Sequence, residues 1–240
     1  MRATGFLYET TDKTYLVTAR HNVLPTEVGI QNPRTEEPLW EVQANFTADE
    51  IDIYLPDGSE WLHHRILLSE VPENGIITAE NIDLLAVQLP EDIPSHSLRV
   101  FSREDLREPS EETGELVVYG YATDSLPAGT NEYSTAGFSE NLQSPQELRL
   151  TNLVMPQDIT GQLDGVVGVG IDENASDAAK YNGLSGSPVL GDGLVGIHSG
   201  TSEIPDIAKR QDPSLKNTCR VQYTGSKFLR QIPTGLRLES

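Results

Sequence analysis

The chain has 240 residues, of which 37 are Asp or Glu and 17 are Lys or Arg, so its formal net charge at pH 7 is −20. This length allows one large domain or two small barrels with a real core. The negative charge repels nucleic-acid phosphates and therefore disfavours a nucleic-acid partner. Strong acidity with few lysines is typical of proteins that work in high salt, where ions screen the self-repulsion, and also of some acidic proteins from ordinary surroundings.

No apolar run approaches the roughly 20 residues that span a bilayer, and residues 1–5 lack the apolar stretch of a signal peptide. The only cysteine, Cys219, excludes an internal disulfide framework. These features predict a cytoplasmic chain with no membrane partner, although a secreted protein without disulfides, or a fragment, has the same features. His63 and His64 point to opposite faces of a strand, and no other ligand spacing is present, so the sequence predicts neither a metal nor another cofactor.

Short apolar or alternating segments between turn residues predict an all-β chain. In chain order, the predicted strands are residues 5–8, 14–18, 51–55, 61–67, 84–89, 116–121, 148–154, 166–169, 189–190, 194–198 and 221–224. A short helix is predicted over residues 226–232, ended by Pro233. The polar, proline-bearing stretch 90–110 separates two halves, which we predict to be one barrel over residues 1–93 and another over residues 94–240, with a ligand cleft between them.

The segment Gly183-Leu184-Ser185-Gly186-Ser187-Pro188 predicts a tight turn that exposes a serine hydroxyl. Such a turn can point the amides of Gly183 and Ser185 at one spot, as an oxyanion hole requires. A serine nucleophile needs a base, and the base needs a group that orients it. His21 ends one predicted strand and Asp83 begins another, so we predict these two as partners of Ser185. Asp52, on an alternating strand, is a competitor for the position of Asp83.

Three segments in this order resemble the chymotrypsin/trypsin-like serine proteases: Thr18-Ala19-x-His21, Asp83-Leu84-x-Ala86 and Gly183-x-Ser185-Gly186-x-Pro188. The resemblance runs over nearly the whole chain. It implies two antiparallel six-stranded β-barrels with a short C-terminal helix, a polypeptide substrate and no cofactor. It also implies that His21 is the general base, Asp83 its orienting carboxylate and Ser185 the nucleophile. The amides of Gly183 and Ser185 would form the oxyanion hole, and Ser199 would help to hold Asp83.

The sequence departs from the digestive enzymes of this family at the residue before the nucleophile. Those enzymes have an acidic residue there, which pairs with an N-terminus freed by cleavage, whereas this chain has Leu184. The chain also begins almost at its first strand. We therefore expect the oxyanion hole to form without insertion of a new N-terminus.

The strand after the nucleophile carries Gly196-Ile197-His198, which resembles the bacterial glutamyl endopeptidases, whose histidine contacts an acidic side chain at the cleavage position. A similar Gly-x-His occurs in viral relatives that prefer glutamine. Ala179 stands where trypsin-like members have an aspartate, which argues against cleavage after Arg or Lys. The resemblance predicts cleavage after Glu or Asp, or else Gln. The predicted substrate-binding residues are His198, Ser199, Thr201 and Lys180.

Two other functions are compatible with the same residues. The first is an esterase that uses the same triad. The second is a protease-like module that binds a partner through the cleft, or a protease that a regulatory partner activates by ordering Gly183 and Leu184. The presence of His21, Asp83 and Ser185 together favours a peptidase over a binding module.

Overall fold

A computed structural model describes residues 3–24, 29–31, 38–41, 49–57, 60–79, 82–91, 93, 98–108, 115–121, 146–152, 168–172, 183–203, 206–211, 213 and 219–234. The predicted all-β class is confirmed, because 15 strands account for most of the elements in these ranges. No helix in them is both long and apolar enough to span a bilayer.

The first half contains a five-stranded sheet with the order β7-β8-β2-β1-β9. Its inner strand β8, between β7 and β2, is buried from Ile82 through Val87, as expected of a strand covered on both faces. The strands are β1 (Phe6–Glu9), β2 (Thr14–Thr18), β7 (Ile76–Ala79), β8 (Ile82–Gln88) and β9 (Val100–Phe101). Strand β9 lies beyond the predicted boundary at residue 93, yet it pairs with β1, and this pairing is parallel.

Two further hairpins belong to the first half. Strands β3 (Gly29–Gln31) and β4 (Pro38–Glu41) form one, and β5 (Glu50–Asp57) and β6 (Glu60–Leu67) form the other. The β5–β6 hairpin was predicted from its Pro-Asp-Gly turn, whereas β3, β4, β7 and β9 had not been predicted. In the described ranges the first half is thus a five-stranded sheet with two hairpins, and the strand pairings there do not close into a six-stranded barrel.

The second half is a closed six-stranded barrel with the order β10-β11-β12-β15-β14-β13. All of its pairings are antiparallel, as predicted. Its strands are β10 (Glu115–Gly120), β11 (Gln146–Asn152), β12 (Gly168–Asp172), β13 (Pro188–Leu190), β14 (Leu194–Glu203) and β15 (Cys219–Gly225). Strand β14 continues past His198, where the prediction ended it, because a bulge after that residue lets the strand keep its pairing with β15.

The predicted C-terminal helix is present as a 3₁₀ helix, Ser226–Thr234, which continues through Pro233. Its buried side chains Phe228, Leu229 and Ile232 join one apolar cluster with residues of both halves. This cluster includes Tyr8 and Leu84 from the first half and Leu194 and Ile197 from the barrel. The shared apolar core packs the two halves against each other.

A short helix α1 (Asp206–Gln211) lies between β14 and β15 and had not been predicted.

Two glycines of strand β14 provide a matched test of the barrel packing. A Cβ on Gly196 would lie 2.4 Å from the Thr224 carbonyl oxygen and 2.6 Å from Tyr223 Cδ2, whereas one on Gly200 would have no atom within 4 Å. We expect Gly196→Ala to lower the free energy of unfolding by about 2–3 kcal/mol, since the backbone oxygen cannot move aside without breaking the pairing. Gly200→Ala should change it by less than about 0.5 kcal/mol. Urea unfolding of both variants measures this, and equal losses would contradict the described β14–β15 packing.

Candidate active site

His21 and Asp83 form a buried hydrogen-bonded pair. His21 lies in a 3₁₀ turn, Arg20–Asn22, directly after β2, and Asp83 is the second residue of β8, the strand paired with β2. The His21 ring places Nδ1 2.8 Å from Asp83 Oδ2, and the His21 backbone amide donates to Oδ1 at 3.1 Å. Because a carboxylate can only accept, the proton lies on Nδ1 and leaves Nε2 as the basic nitrogen.

Ser185 lies on a tight turn at the edge of the barrel. The Ser187 amide donates to the Leu184 carbonyl at 2.9 Å, and the Gly186 amide donates to the His198 carbonyl at 2.8 Å. Gly183 and Gly186 have φ values of 87° and 91°, in the left-handed region that favours glycine. These bonds and angles hold Ser185, which is half-buried, at the outer end of the turn.

The two halves meet at the backbone carbonyl of Ser185. This oxygen accepts a hydrogen bond of 3.0 Å from the side-chain amide of Asn22 and one of 3.2 Å from the backbone amide of Thr4. Asn22 is the residue after His21, so the turn with the serine and the turn with the histidine are joined directly. A Cβ on Gly186 would lie 2.1 Å from the Thr4 carbonyl oxygen, so only glycine fits at this approach. The structure thus pairs His21 with Asp83 and joins the turn that carries Ser185 to the turn that carries His21.

The orientation of the Ser185 amide follows from the Leu184 carbonyl. This carbonyl accepts from the Ser187 amide and from the His198 ring. The carbonyl and amide of a trans peptide point in opposite directions, so the Ser185 N–H is directed away from these two donors. In the described ranges no backbone hydrogen bond uses the amide of Gly183 or Ser185.

His198 is buried beneath this turn, with 1% of its surface exposed. Burial lowers the pKa of His198 to about 4, against the opposing effect of its hydrogen bond to the Leu184 backbone. The hydrogen bond to Leu184 raises the pKa of His198 and so favours the protonated ring. The His198 ring is therefore the donor, and the Leu184 carbonyl is the acceptor. A neutral imidazole has a single N–H, and this one is used inside the protein. The predicted contact of His198 with substrate stays a prediction.

The other predicted binding residues are placed as follows. The hydroxyl of Ser199 is 2.9 Å from Thr224 Oγ1 and 3.4 Å from the Ile197 carbonyl oxygen, and no bond to Asp83 is recorded for it in the described part of the chain. Thr201 lies in β14 opposite Val221. Lys180, like Ala179, lies outside the described residues.

Asp52, the alternative to Asp83, lies on the β5–β6 hairpin and has other partners. Its carboxylate accepts from Arg65 Nε at 2.9 Å and lies 2.7 Å from His63 Nε2. The hydrogen bond from Arg65 holds the pKa of Asp52 below its ordinary value. The structure therefore pairs His21 with Asp83. Within the described ranges, no group of three or more His, Cys, Asp or Glu residues has the geometry to hold a metal ion.

Thr4 and Asn22 contact the candidate site, and the sequence analysis missed both. A threonine before a strand and an asparagine after a histidine belong to no motif and show no periodicity. The only signal was the closeness of Asn22 to His21 along the chain. Their importance depends on contacts with residues more than 160 positions away, such as Ser185.

No protein-family model matches this chain, and no curated protein matches it. Among solved structures, it is similar to catalytically active tobacco etch virus protease complexed with product, at 12% identity and a TM-score of 0.44, over 96% of this chain and 75% of that one. It is also similar to a human pathogenic astrovirus serine protease, at 12% identity and a TM-score of 0.43, over 94% of this chain and 84% of that one. At these values the similarity carries no conclusion about chemistry, and the fold class rests on the strand pairings of this chain.

The lowered pKa of His198 predicts a specific loss of stability in acid. The folded pKa of about 4 lies below the ordinary 6.5, so the unfolded chain takes up the proton first as the pH falls. The neutral His198 ring therefore contributes fully to the free energy of unfolding above about pH 6.5, and this contribution is lost as the pH falls towards 4. Between pH 7 and pH 4, we expect the free energy of unfolding to fall by about 3 kcal/mol more in the wild type than in His198→Gln. Urea titrations at several pH values measure this difference, and parallel pH profiles would show that the ring is not held neutral.

Proposed function

We propose that this protein is a serine endopeptidase. The observation that supports it best is the hydrogen-bonded pair of His21 and Asp83, tied through Asn22 to the turn that carries Ser185. In the proposed roles Ser185 is the nucleophile, His21 the general base and Asp83 the orienting carboxylate. The backbone amides of Gly183 and Ser185 serve as the oxyanion hole.

The proposed reaction has two symmetric stages. Ser185 Oγ attacks the carbonyl carbon of the scissile peptide while His21 Nε2 takes the hydroxyl proton. Asp83 stabilises the imidazolium that forms, and the two backbone amides stabilise the negative oxygen of the tetrahedral intermediate. His21 then gives its proton to the leaving amine, and an acyl-enzyme remains. Water then attacks the acyl carbonyl while His21 takes its proton, and His21 returns that proton to Ser185 Oγ as the acid product leaves.

The proposal includes a preference for Glu or Asp at the cleavage position, and for Gln as the weaker alternative. It rests on the resemblance of the Gly196-Ile197-His198 segment to the glutamyl endopeptidases. The net charge of −20 opposes an acidic substrate at long range. Salt screens that repulsion, so we expect activity on acidic peptides to rise with ionic strength.

Removal of the nucleophile tests the proposed reaction. We expect Ser185→Ala and His21→Ala each to lower the turnover of a peptide substrate by about 10⁴-fold or more, with the unfolding midpoint little changed. Asp52→Asn, on the separate hairpin, is the matched control and should retain turnover. The measurement is peptide cleavage in low and in molar salt. Equal cleavage by wild type and Ser185→Ala would refute the proposed nucleophile, and a wild type that hydrolyses esters only would favour the esterase.

A mixed peptide library tests the proposed specificity. We expect wild-type protein to cut after Glu or Asp, with rates that increase between low and molar salt as the repulsion is screened. The products are identified by mass spectrometry, and those that persist with Ser185→Ala are discarded as background. Cuts mainly after Arg, Lys or Leu would contradict the specificity while leaving the proposed triad intact. Complete inactivity of the wild type in both salts would favour the partner-activated or binding module.

A further inference from the structure

Thr4 is a buried threonine ahead of strand β1, with 7% of its surface exposed. All of its polar groups are engaged. Its backbone amide donates to the Ser185 carbonyl at 3.2 Å, and its own carbonyl accepts from Thr18 Oγ1 at 2.8 Å. Its hydroxyl accepts from the Tyr121 amide at 3.0 Å. The hydroxyl proton has the Gly183 carbonyl as its nearer acceptor at 3.0 Å, and the Tyr121 carbonyl lies farther away at 3.4 Å. Thr4 therefore connects the first half to the end of β10 and to the serine turn.

The two carbonyls that Thr4 holds lie on either side of Leu184. Gly183, like Gly186, is a glycine in the left-handed region, and a glycine moves readily to other backbone conformations unless its neighbours restrain it. The Thr4 hydroxyl fixes the Gly183 carbonyl, and the Thr4 amide fixes the Ser185 carbonyl. These two bonds fix the peptide planes that follow Gly183 and Ser185, and they thereby limit the backbone rotations that would turn the amides of the same two residues.

The side chain of Leu184 offers no charge for an ion pair that would order the turn. It is fully buried in the apolar cluster of the barrel, with Val118 and Tyr223 among its neighbours. Packing of this kind fills space, but it sets the direction of peptide groups only weakly compared with directional hydrogen bonds. In the described part of the chain, the directional contacts that the first half makes with the turn include those of Thr4 and Asn22.

We propose that Thr4 is a positioning residue whose hydroxyl holds Gly183 in the conformation that presents the amides of Gly183 and Ser185 to the substrate oxyanion. This inference rests on the proposed function. The two amides stabilise negative charge that develops in the transition state. Loss of the Thr4 hydroxyl should therefore lower kcat and leave KM nearly unchanged. Ground-state peptide binding does not depend on these donors to the same degree.

Three threonine variants test the proposal. Thr4→Val removes the hydroxyl at nearly constant volume, and Thr4→Ser retains it. Thr78→Val is the matched control, because Thr78 also donates to a backbone carbonyl at 3.0 Å, that of Leu84, in the first half. We expect Thr4→Val to lower kcat by about 10- to 100-fold with KM within about twofold, and Thr4→Ser and Thr78→Val to keep kcat within about threefold. An unchanged kcat in Thr4→Val would overturn the proposal. An equal loss of kcat in Thr4→Val and Thr4→Ser would also overturn it.

Amide hydrogen exchange supplies a readout that does not require turnover. The amides of Gly186 and Ser187 are bonded within the turn. We expect them to exchange about 5- to 10-fold faster in Thr4→Val, and to be unchanged in Thr4→Ser and Thr78→Val. If wild type and Ser185→Ala prove equally inactive, the proposed function fails, and exchange alone then decides whether Thr4 holds the turn. Unchanged exchange in Thr4→Val overturns the positioning role whether or not the protein is a peptidase.

Discussion

The backbone carbonyl of Ser185 is the point on which the candidate site depends. It accepts one hydrogen bond from the Asn22 side chain and one from the Thr4 amide, and both donors belong to the first half of the chain. Thr18 Oγ1 extends this network, because it accepts from Asn22 Nδ2 at 2.9 Å and donates to the Thr4 carbonyl. If these bonds were lost, the serine turn and the histidine turn would each remain in their own sheet. The apolar core that both halves share would still hold them together, but without the directional contacts that join the serine turn to the histidine turn.

Burial gives the two histidines near this network different properties. Asp83 is 3% exposed and engages His21 through both of its oxygens, so its charge is compensated by two N–H donors of one residue. His198 lies deeper and has the Leu184 carbonyl as its partner, and desolvation lowers its pKa to about 4. His21, with its Nδ1 fixed by a carboxylate, suits proton transfer through Nε2. His198, neutral at pH 7, suits a structural role beneath the turn, where it holds the carbonyl that sets the direction of the Ser185 amide.

The elements that the sequence predicted well are those whose pattern is local. Residues 14–18 and 84–89 have the apolar runs of buried strands, and the Pro-Asp-Gly turn marks the hairpin of β5 and β6. The Phe228-Leu229-x-x-Ile232 spacing predicted the closing helix. The strands that were missed are short or pair with distant residues. Strand β9 has only Val100 and Phe101, and its pairing with β1 depends on where the chain returns to the first sheet. A two-residue segment carries no detectable period, so only the fold could reveal it.

The sequence by itself determined the all-β class, the serine turn with its glycines, and the order of histidine, aspartate and serine along the chain. These follow from residue type and short spacing, which local backbone preferences translate directly into turns and strand ends. Only the tertiary structure decided that Asp83, and not Asp52, pairs with His21, because Asp52 is bound to Arg65 on a separate hairpin. It also revealed the bond of Thr4 to Gly183 and that of Asn22 to Ser185, each of which joins residues more than 160 positions apart. Hydrogen bonds between such distant residues form only when the shared apolar core has brought the two halves together, and no local pattern in the chain encodes them.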